Sequence, residues 1–213
     1  MSMKEYYARR AAEYEKIYLK PERQADLRRM EEIAGDAFPG LSILEVACGT
    51  GYWTKFAAAS AKSILATDFN DEVLELAKQK DYGTCAVSFQ RADAYTLEGV
   101  PPWFDAGFHA FWWSHIPKRR IEEFLEAFHS RLATNAPVMM IDNLYVEGSS
   151  TPVSRTDENG DTFQTRTLED GSVYEVLKNF PTPEEIRAQL ESHCRNIEIK
   201  LLDYCWVAKY RLS

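Results

Sequence analysis

The feature that most constrains this chain is an apolar run that ends in a glycine-rich turn. The run from Leu41 to Val46 predicts a buried β-strand, and Ala47-Cys48-Gly49-Thr50-Gly51 follows it directly. Glycines in such a turn let the backbone approach a ligand closely, and a helix that follows presents N–H groups to that ligand. The segment therefore predicts a strand, turn and helix that bind a ligand at the end of the strand.

Predicted strands and helices alternate along the rest of the chain. Further strands are expected at residues 63–68, 86–90, 108–113, 138–142, 197–202 and 205–211, and helices at 52–61, 71–80 and 118–132. This alternation predicts an α/β fold with a doubly wound, mostly parallel sheet. We expect residues 1–213 to form one domain of this kind.

Two segments lie outside the alternation. Residues 1–35 have a helical pattern that Pro21 interrupts. Residues 143–180 are polar and contain Asp170-Gly171 between alternating runs, which predicts a β-hairpin inserted after the fifth strand. A helix is expected to begin at Thr182, where the sequence is typical of a capping box. We expect residues 1–35 to form a helical lid, and the hairpin to be either a second lid or an arm of a homodimer.

Composition excludes several classes of partner. The chain has 33 acidic and 25 basic residues, and a net charge of −8 disfavours nucleic acid as a partner. No apolar run approaches the ~18 residues that cross a bilayer, and the first ten residues lack the apolar core of a secretory signal, so no membrane association and a cytoplasmic location are expected. The four cysteines form no Cys-x-x-Cys pair, which favours reduced thiols and no metal site.

Acidic residues at three predicted strand ends indicate what the turn binds. A dinucleotide fingerprint requires a third glycine where Thr54 stands, and the Gly-Lys-Ser/Thr of a phosphate-binding loop is absent. Glu45 precedes the glycines, where it would repel a pyrophosphate and attract a cationic ligand. Asp68 ends the second strand, where a carboxylate suits ribose hydroxyls, and Asp93 follows the third, where it suits an adenine amino group.

These segments resemble a known family. Leu44-Glu45-Val46-Ala47-Cys48-Gly49-Thr50-Gly51 resembles the first motif of the class I S-adenosylmethionine-dependent methyltransferases of the small-molecule type, and Ala66-Thr67-Asp68, Ala92-Asp93-Ala94 and Phe104-Asp105 match its later elements in order. The resemblance implies a seven-stranded sheet with an antiparallel last strand and S-adenosylmethionine as methyl donor. The residues that it places at the donor are Glu45, Ala47, Gly49, Gly51, Asp68, Phe69, Asp93, Ala94 and Phe111.

The N-terminal segment is similar to the leader helix that closes over the donor in this family. Tyr14 is a candidate for contacting the donor carboxylate or the acceptor, and packing in an apolar helix face is the alternative. Arg23 is a candidate partner of the donor carboxylate, since a guanidinium binds a carboxylate through two parallel hydrogen bonds.

The acceptor side carries less specific features. His115 is a candidate general base for a hydroxyl acceptor, with helix capping as the alternative. Aromatic rings attract cations, so Trp53 and Trp113 are candidates for the acceptor wall, and core packing is the alternative for each. Polar residues of the inserted segment complete the expected acceptor site: Asn143, Arg155, Gln164 and Tyr174. The arginines favour an acceptor with a carboxylate or a similar anion.

The resemblance implies methyl transfer to a small molecule by in-line displacement, in which alignment supplies much of the rate. A protein methyltransferase is one alternative, and it would need an open groove. A regulatory protein that binds S-adenosylmethionine without turnover is the other.

Overall fold

A seven-stranded sheet forms the centre of the computed structural model, which describes Glu15 and residues 17–168 and 170–213. The strands of the chain are β1 Ser42–Val46, β2 Ser63–Asp68, β3 Ala86–Arg91, β4 Ala106–Ala110, β5 Pro137–Asn143, β6 Arg155–Thr156, β7 Thr162–Thr167, β8 Val173–Leu177, β9 Cys194–Leu201 and β10 Cys205–Leu212. The large sheet has the order β3-β2-β1-β4-β5-β10-β9, and the last strand, β10, is antiparallel to both of its neighbours. The predicted seven-stranded, mostly parallel sheet is confirmed.

Helices cover both faces of this sheet. They are α1 Gln24–Gly35, α2 Tyr52–Ala57, α3 Asp71–Ala77, α4 Ile121–His129 and α5 Pro183–Leu190. Neighbouring strand residues point to opposite faces, so Ile43 packs into the core on the side of α1 and α2, and Leu44 into the core on the side of α4 and α5. This is the doubly wound arrangement expected from the alternation. Among the described residues, no helix has both the length and the apolar character that crossing a bilayer requires.

The inserted segment forms a separate small sheet. β7 and β8 pair as the hairpin that was predicted around Asp170-Gly171, and β6 adds a short third strand that the sequence did not predict. The capping box of α5 is present, because the Thr182 side chain accepts from the Glu185 N–H and the Glu185 side chain accepts from the Thr182 N–H.

The differences from the predictions that bear on the site lie at the end of β4 and in the N-terminal segment. The fourth strand was predicted to reach residue 113, but β4 ends at Ala110 because Phe111 has a left-handed backbone (φ 56°), and a 3₁₀ turn follows at Trp113–His115. In the predicted N-terminal lid, the helix α1 follows a 3₁₀ turn at Pro21–Arg23. Tyr14 lies outside the described residues.

Candidate active site

A cavity of about 240 Å³ lies at the carboxyl ends of β1, β2, β3 and β4. Open α/β sheets bind their ligands at this edge, because the loops that leave the strand ends diverge there. Seven of the residues expected at the donor line it: Ala47, Gly49, Asp68, Phe69, Asp93, Ala94 and Phe111. The strand-end register predicted from the sequence therefore converges on one site.

Left-handed backbone shapes the turn after β1. Ala47, Gly49 and Gly51 have φ values of 54°, 55° and 75°. A Cβ on Gly51 would clash with the Tyr82 hydroxyl and lie 3.1 Å from the Ala77 Cβ, so this position requires glycine. Gly51 therefore packs the turn against α3, and it does not line the cavity.

Asp68 holds the turn in place. Its Oδ2 accepts the Gly49 N–H and its Oδ1 accepts the Asn70 N–H, each at 2.9 Å. Burial raises the pKa of this carboxyl, and the two N–H donors oppose that effect. The side chain thus joins the ends of β1 and β2 while lining the cavity.

Glu45 is buried beneath the turn, with 1% of its surface exposed. Its Oε2 has no hydrogen-bond partner among the described residues. Burial raises its pKa to about 8, and repulsion from Asp68 adds to the shift. A carboxyl in this condition binds a proton at neutral pH unless a cation reaches it.

The end of β3 adds an aromatic wall. Asp93 Oδ1 accepts the Tyr95 N–H at 2.9 Å, and the Tyr95 ring lines the cavity. The Arg120 guanidinium lies 3.4 Å from the centroid of that ring, and Trp112 meets it edge-on at 6.0 Å. Neither Tyr95 nor Trp112 was predicted as a site residue from the sequence, although each is adjacent to a residue that was.

His115 is fixed at the rim of the cavity by the inserted sheet. Its Nδ1 lies 2.7 Å from the carbonyl oxygen of Leu177 in β8. A carbonyl oxygen only accepts, so Nδ1 carries the proton, and Nε2 of the neutral ring is unprotonated. This tautomer is the one that a general base requires.

Comparisons with known proteins agree with this geometry. A family described as "Methyltransferase domain" matches residues 43–135. Structures of DhpI with SAH and of a DhpI–SAM–HEP complex are similar to this chain, with 27% and 26% identity and TM-scores of 0.77 and 0.78. They cover 98% and 99% of this chain, which covers 94% and 99% of theirs. These matches support a class I S-adenosylmethionine-dependent methyltransferase. The dependence on S-adenosylmethionine expected from the sequence is thereby confirmed.

A curated relative matches a shorter part of the methyltransferase. Demethylmenaquinone methyltransferase of Clavibacter sepedonicus is 31% identical over 105 residues, which are 48% of this chain and 41% of that protein. The chain therefore spans less than half the length of this relative.

The two predicted acceptor tryptophans lie in the core of the methyltransferase. Trp53 is 3% exposed and donates to the Tyr18 hydroxyl at 2.9 Å, and Trp113 is 1% exposed with its ring stacked on that of His109. The left-handed backbone at Phe111 ends the strand alternation, so Trp112 and not Trp113 lines the cavity. Both predictions for an acceptor wall are wrong, and core packing is correct.

The predicted residues of the inserted sheet divide between its two faces. Arg155 is exposed, pairs with Glu175 at 2.7 Å and does not line the donor cavity. Gln164 and Tyr174 are 1% and 3% exposed and lie on the opposite face, toward the body of the protein. Gln164 accepts from the Arg166 guanidinium at 2.7 Å.

Arg23 and Asn143 lie together in a smaller second recess. The Arg23 Nη1 donates to Asn143 Oδ1 at 3.1 Å, and the same guanidinium donates to the Ser149 hydroxyl. Phe111 lines both this recess and the larger cavity, so the two adjoin. Arg23 is therefore placed beside the donor cavity and not in its wall.

The N-terminal segment is attached to the glycine-rich turn. Glu15 accepts from the Thr50 hydroxyl at 2.7 Å and also pairs with Lys80. The Tyr18 ring stacks on that of Tyr52 with centroids 3.9 Å apart. This part of the predicted lid thus contacts the donor side of the site.

Proposed function

We propose that this methyltransferase transfers the methyl group of S-adenosylmethionine to a small-molecule acceptor. One observation carries the proposal: two separate segments are attached to the rim of the donor cavity. Glu15 binds Thr50 on one side, and Leu177 binds His115 on the other. An acceptor that reaches the donor between them enters a walled recess, which suits a small molecule better than a protein surface.

The donor fits the side chains present. We propose that the orphaned Glu45 carboxyl pairs with its ammonium group, that Asp68 binds the ribose and that Asp93 binds the adenine edge. Ala47, Gly49, Phe69 and Ala94 then provide backbone and apolar contacts along its length. A buried carboxylate oxygen without a partner, such as Glu45 Oε2, is costly unless a cation or a proton satisfies it, which supports the first assignment.

His115 is the proposed base when the acceptor arrives protonated. Its Nδ1–H is held by the Leu177 carbonyl, so Nε2 carries the lone pair of the neutral ring. Alignment of the acceptor with the S–CH₃ bond and exclusion of water supply the rest of the rate. The relatives agree with a small acceptor, since one is named for demethylmenaquinone and one holds SAM and HEP together.

The test combines donor binding with product formation. Calorimetry with S-adenosylhomocysteine is compared for the wild type, Asp68→Ala and the exposed control Asp36→Ala. Loss of a charge-assisted hydrogen bond is expected to weaken binding by about 1–3 kcal/mol in Asp68→Ala and not in the control.

Release of S-adenosylhomocysteine is then measured with a panel of small alcohols, amines, thiols and carbon acids. Methyl label recovered in protein rather than in small molecules would contradict the proposed acceptor class. Absence of donor binding would overturn the proposed function altogether.

A further inference from the structure

Four cationic side chains from two distant segments meet beside the donor cavity. Lys20 and Arg23 precede α1, whereas Arg166 and Lys178 belong to the inserted segment. Burial lowers the pKa of Lys20, with repulsion from Arg23 and Arg166 adding to it. Burial also lowers the pKa of Lys178, and Arg166 again contributes repulsion. Arg166 is therefore close enough to both lysines for their charges to interact.

The inner face of the inserted hairpin carries polar residues beside apolar ones. Alternate residues of a strand share a face, and residues directly opposite each other in a hairpin do so as well. Gln164 lies opposite Val176 and Arg166 opposite Tyr174, and the side chains of Gln164 and Tyr174 are buried. Val173, on the outer face, is 59% exposed. The same inner face also carries the apolar cluster of Leu168, Tyr174 and Val176, so Gln164 and Arg166 are polar exceptions on a packed face.

Three of the four cations have no acidic partner among the described residues. Lys20, Arg23 and Arg166 donate only to neutral oxygens, the last of them to Gln164 Oε1 at 2.7 Å. The Arg166 Nε is shielded from solvent and has no acceptor in the described part of the chain. Buried donors without acceptors are costly, so the arrangement lacks an anion.

The carboxylates near this cluster have other partners. Asp142 is within 3.3 Å of the Lys178 Nζ and also accepts from the Ser114 hydroxyl and N–H. Asp26 accepts the N–H groups of Asp203 and Tyr204. Glu22 accepts from the Ser149 hydroxyl, to which Arg23 also donates. The acidic groups are thus engaged with Lys178, with Ser149 and with backbone, and none of them forms an ion pair with either arginine among the described residues.

The cluster is continuous with the donor cavity. Phe111 lines both the cavity and the recess that holds Arg23. The Lys178 Nζ donates to the Ser114 hydroxyl at 2.5 Å, and the next residue, His115, lines the cavity. A small molecule held at Arg23 therefore lies next to the donor cavity.

We propose that the methyl acceptor carries an oxyanion, a carboxylate or a phosphoryl group, that Arg23 and Arg166 bind. The nucleophilic atom then extends past Phe111 toward the donor methyl and His115. The inference rests on the proposed function, because it names the acceptor class of the same site. Guanidinium groups from both lids would close on one anion, so acceptor binding would draw the N-terminal segment and the hairpin together.

The test titrates the full chain, saturated with S-adenosylhomocysteine, with three probes. The probes are inorganic phosphate, glycolate and the neutral ethylene glycol, and calorimetry measures the binding of each. One or both anions should bind and ethylene glycol should not, and the anion that binds identifies the source of the oxyanion. Arg166→Gln and Arg23→Gln should each weaken anion binding by about tenfold or more. The matched control is Arg155→Gln on the outer face of the same sheet, which should change it by less than about twofold.

Unchanged affinity for S-adenosylhomocysteine shows that each variant is folded. Equal binding of the neutral and anionic probes, or equal losses in Arg166→Gln and Arg155→Gln, would overturn the inference. Failure of both anions to bind a chain that does bind S-adenosylhomocysteine would overturn it as well and leave the proposed function standing. Failure to bind S-adenosylhomocysteine would instead remove the proposed function.

Discussion

At the scale of single residues, Glu45 links the donor site to pH. Its carboxyl is buried, and burial raises its pKa to about 8. It is mostly protonated in the free protein at neutral pH, and the proposed pairing with the donor ammonium requires the charged form. Donor binding should therefore release a proton from this group.

We expect donor affinity to rise with pH between about 6 and 7.5, by up to tenfold per unit. The cause is that the fraction of protein with a protonated Glu45 falls as the pH approaches the pKa of that carboxyl, so less of the protein must release the proton before the donor binds. Calorimetry in buffers of different ionisation enthalpy measures both the affinity and the proton released. In Glu45→Gln, donor binding should be weaker and independent of pH in this range. A pH-dependent affinity that survives in Glu45→Gln would assign the proton to another group.

His115 provides the second test at this scale. His115→Asn retains an N–H donor near the position of Nδ1, so the contact with the Leu177 carbonyl can persist while Nε2 is lost. For an acceptor that must lose a proton, kcat should fall by roughly 10²–10⁴, the usual contribution of a general base. The affinity for S-adenosylhomocysteine should stay unchanged.

The matched comparison for His115 is an acceptor that is already deprotonated at the assay pH. With it, His115→Asn should have nearly wild-type kcat, because no proton remains to be removed. An equal loss with both acceptors would show that His115 positions the site and is not its base.

At the scale of elements, regular patterns were predictable and local backbone exceptions were not. The first strand, its glycine-rich turn and the Asp170-Gly171 hairpin follow from residue type and spacing, and the structure contains them. The end of β4 depends on Phe111, which adopts a left-handed backbone that its residue type does not favour. That single residue decides which tryptophan faces the cavity, so the sequence placed the acceptor wall wrongly while it placed the strand ends correctly.

The two lid elements should respond to different ligands, the N-terminal segment to the donor product and the hairpin to the acceptor. With S-adenosylhomocysteine bound, amide exchange should slow by about tenfold at residues 15–23 and 47–54, because the contacts of Glu15 and Tyr18 couple these segments. Residues 155–177 should slow further only when an acceptor or its anionic analogue is also present. Hydrogen exchange followed by mass spectrometry measures all three segments in one experiment.

The variant Tyr18→Phe isolates this coupling. It removes the acceptor of the Trp53 N–H but keeps the ring that stacks on Tyr52, so it should reduce the protection of residues 15–23 with little effect on residues 47–54. β9, at the far edge of the sheet, is the internal control and should not respond. Protection confined to the glycine-rich turn in the wild type would contradict the lid assignment.

At the scale of the whole molecule, buried histidines and buried carboxyls together set the pH of greatest stability. Burial lowers the pKa of His109 to about 3 and that of His129 to about 4, against an ordinary value of 6.5. His109 has no hydrogen-bond partner for either ring nitrogen among the described residues, and aromatic rings surround it. Burial acts in the other direction on Glu45, and on Asp68 to a smaller extent.

Stability should therefore pass through a maximum near pH 6.5. Between pH 4.5 and 6.5 the unfolded chain binds two protons on the histidines that the folded chain does not, and the folded chain binds one on Glu45, so the free energy of unfolding rises by about 1.4 kcal/mol per pH unit. The raised pKa of Asp68 makes this rise of stability with pH less steep. From pH 6.5 to 8 the Glu45 difference makes the free energy of unfolding fall, and the lowered pKa of Lys178 opposes this fall as the pH rises. Urea unfolding across this range measures both the rise below pH 6.5 and the fall above it.

Two variants test these assignments. His109→Phe keeps the aromatic packing and should flatten the rise of stability below pH 6.5, while Glu45→Gln should flatten the fall above it. A stability that rises steadily from pH 5 to 8, or a rise below pH 6.5 that His109→Phe leaves unchanged, would show that other groups control the pH dependence.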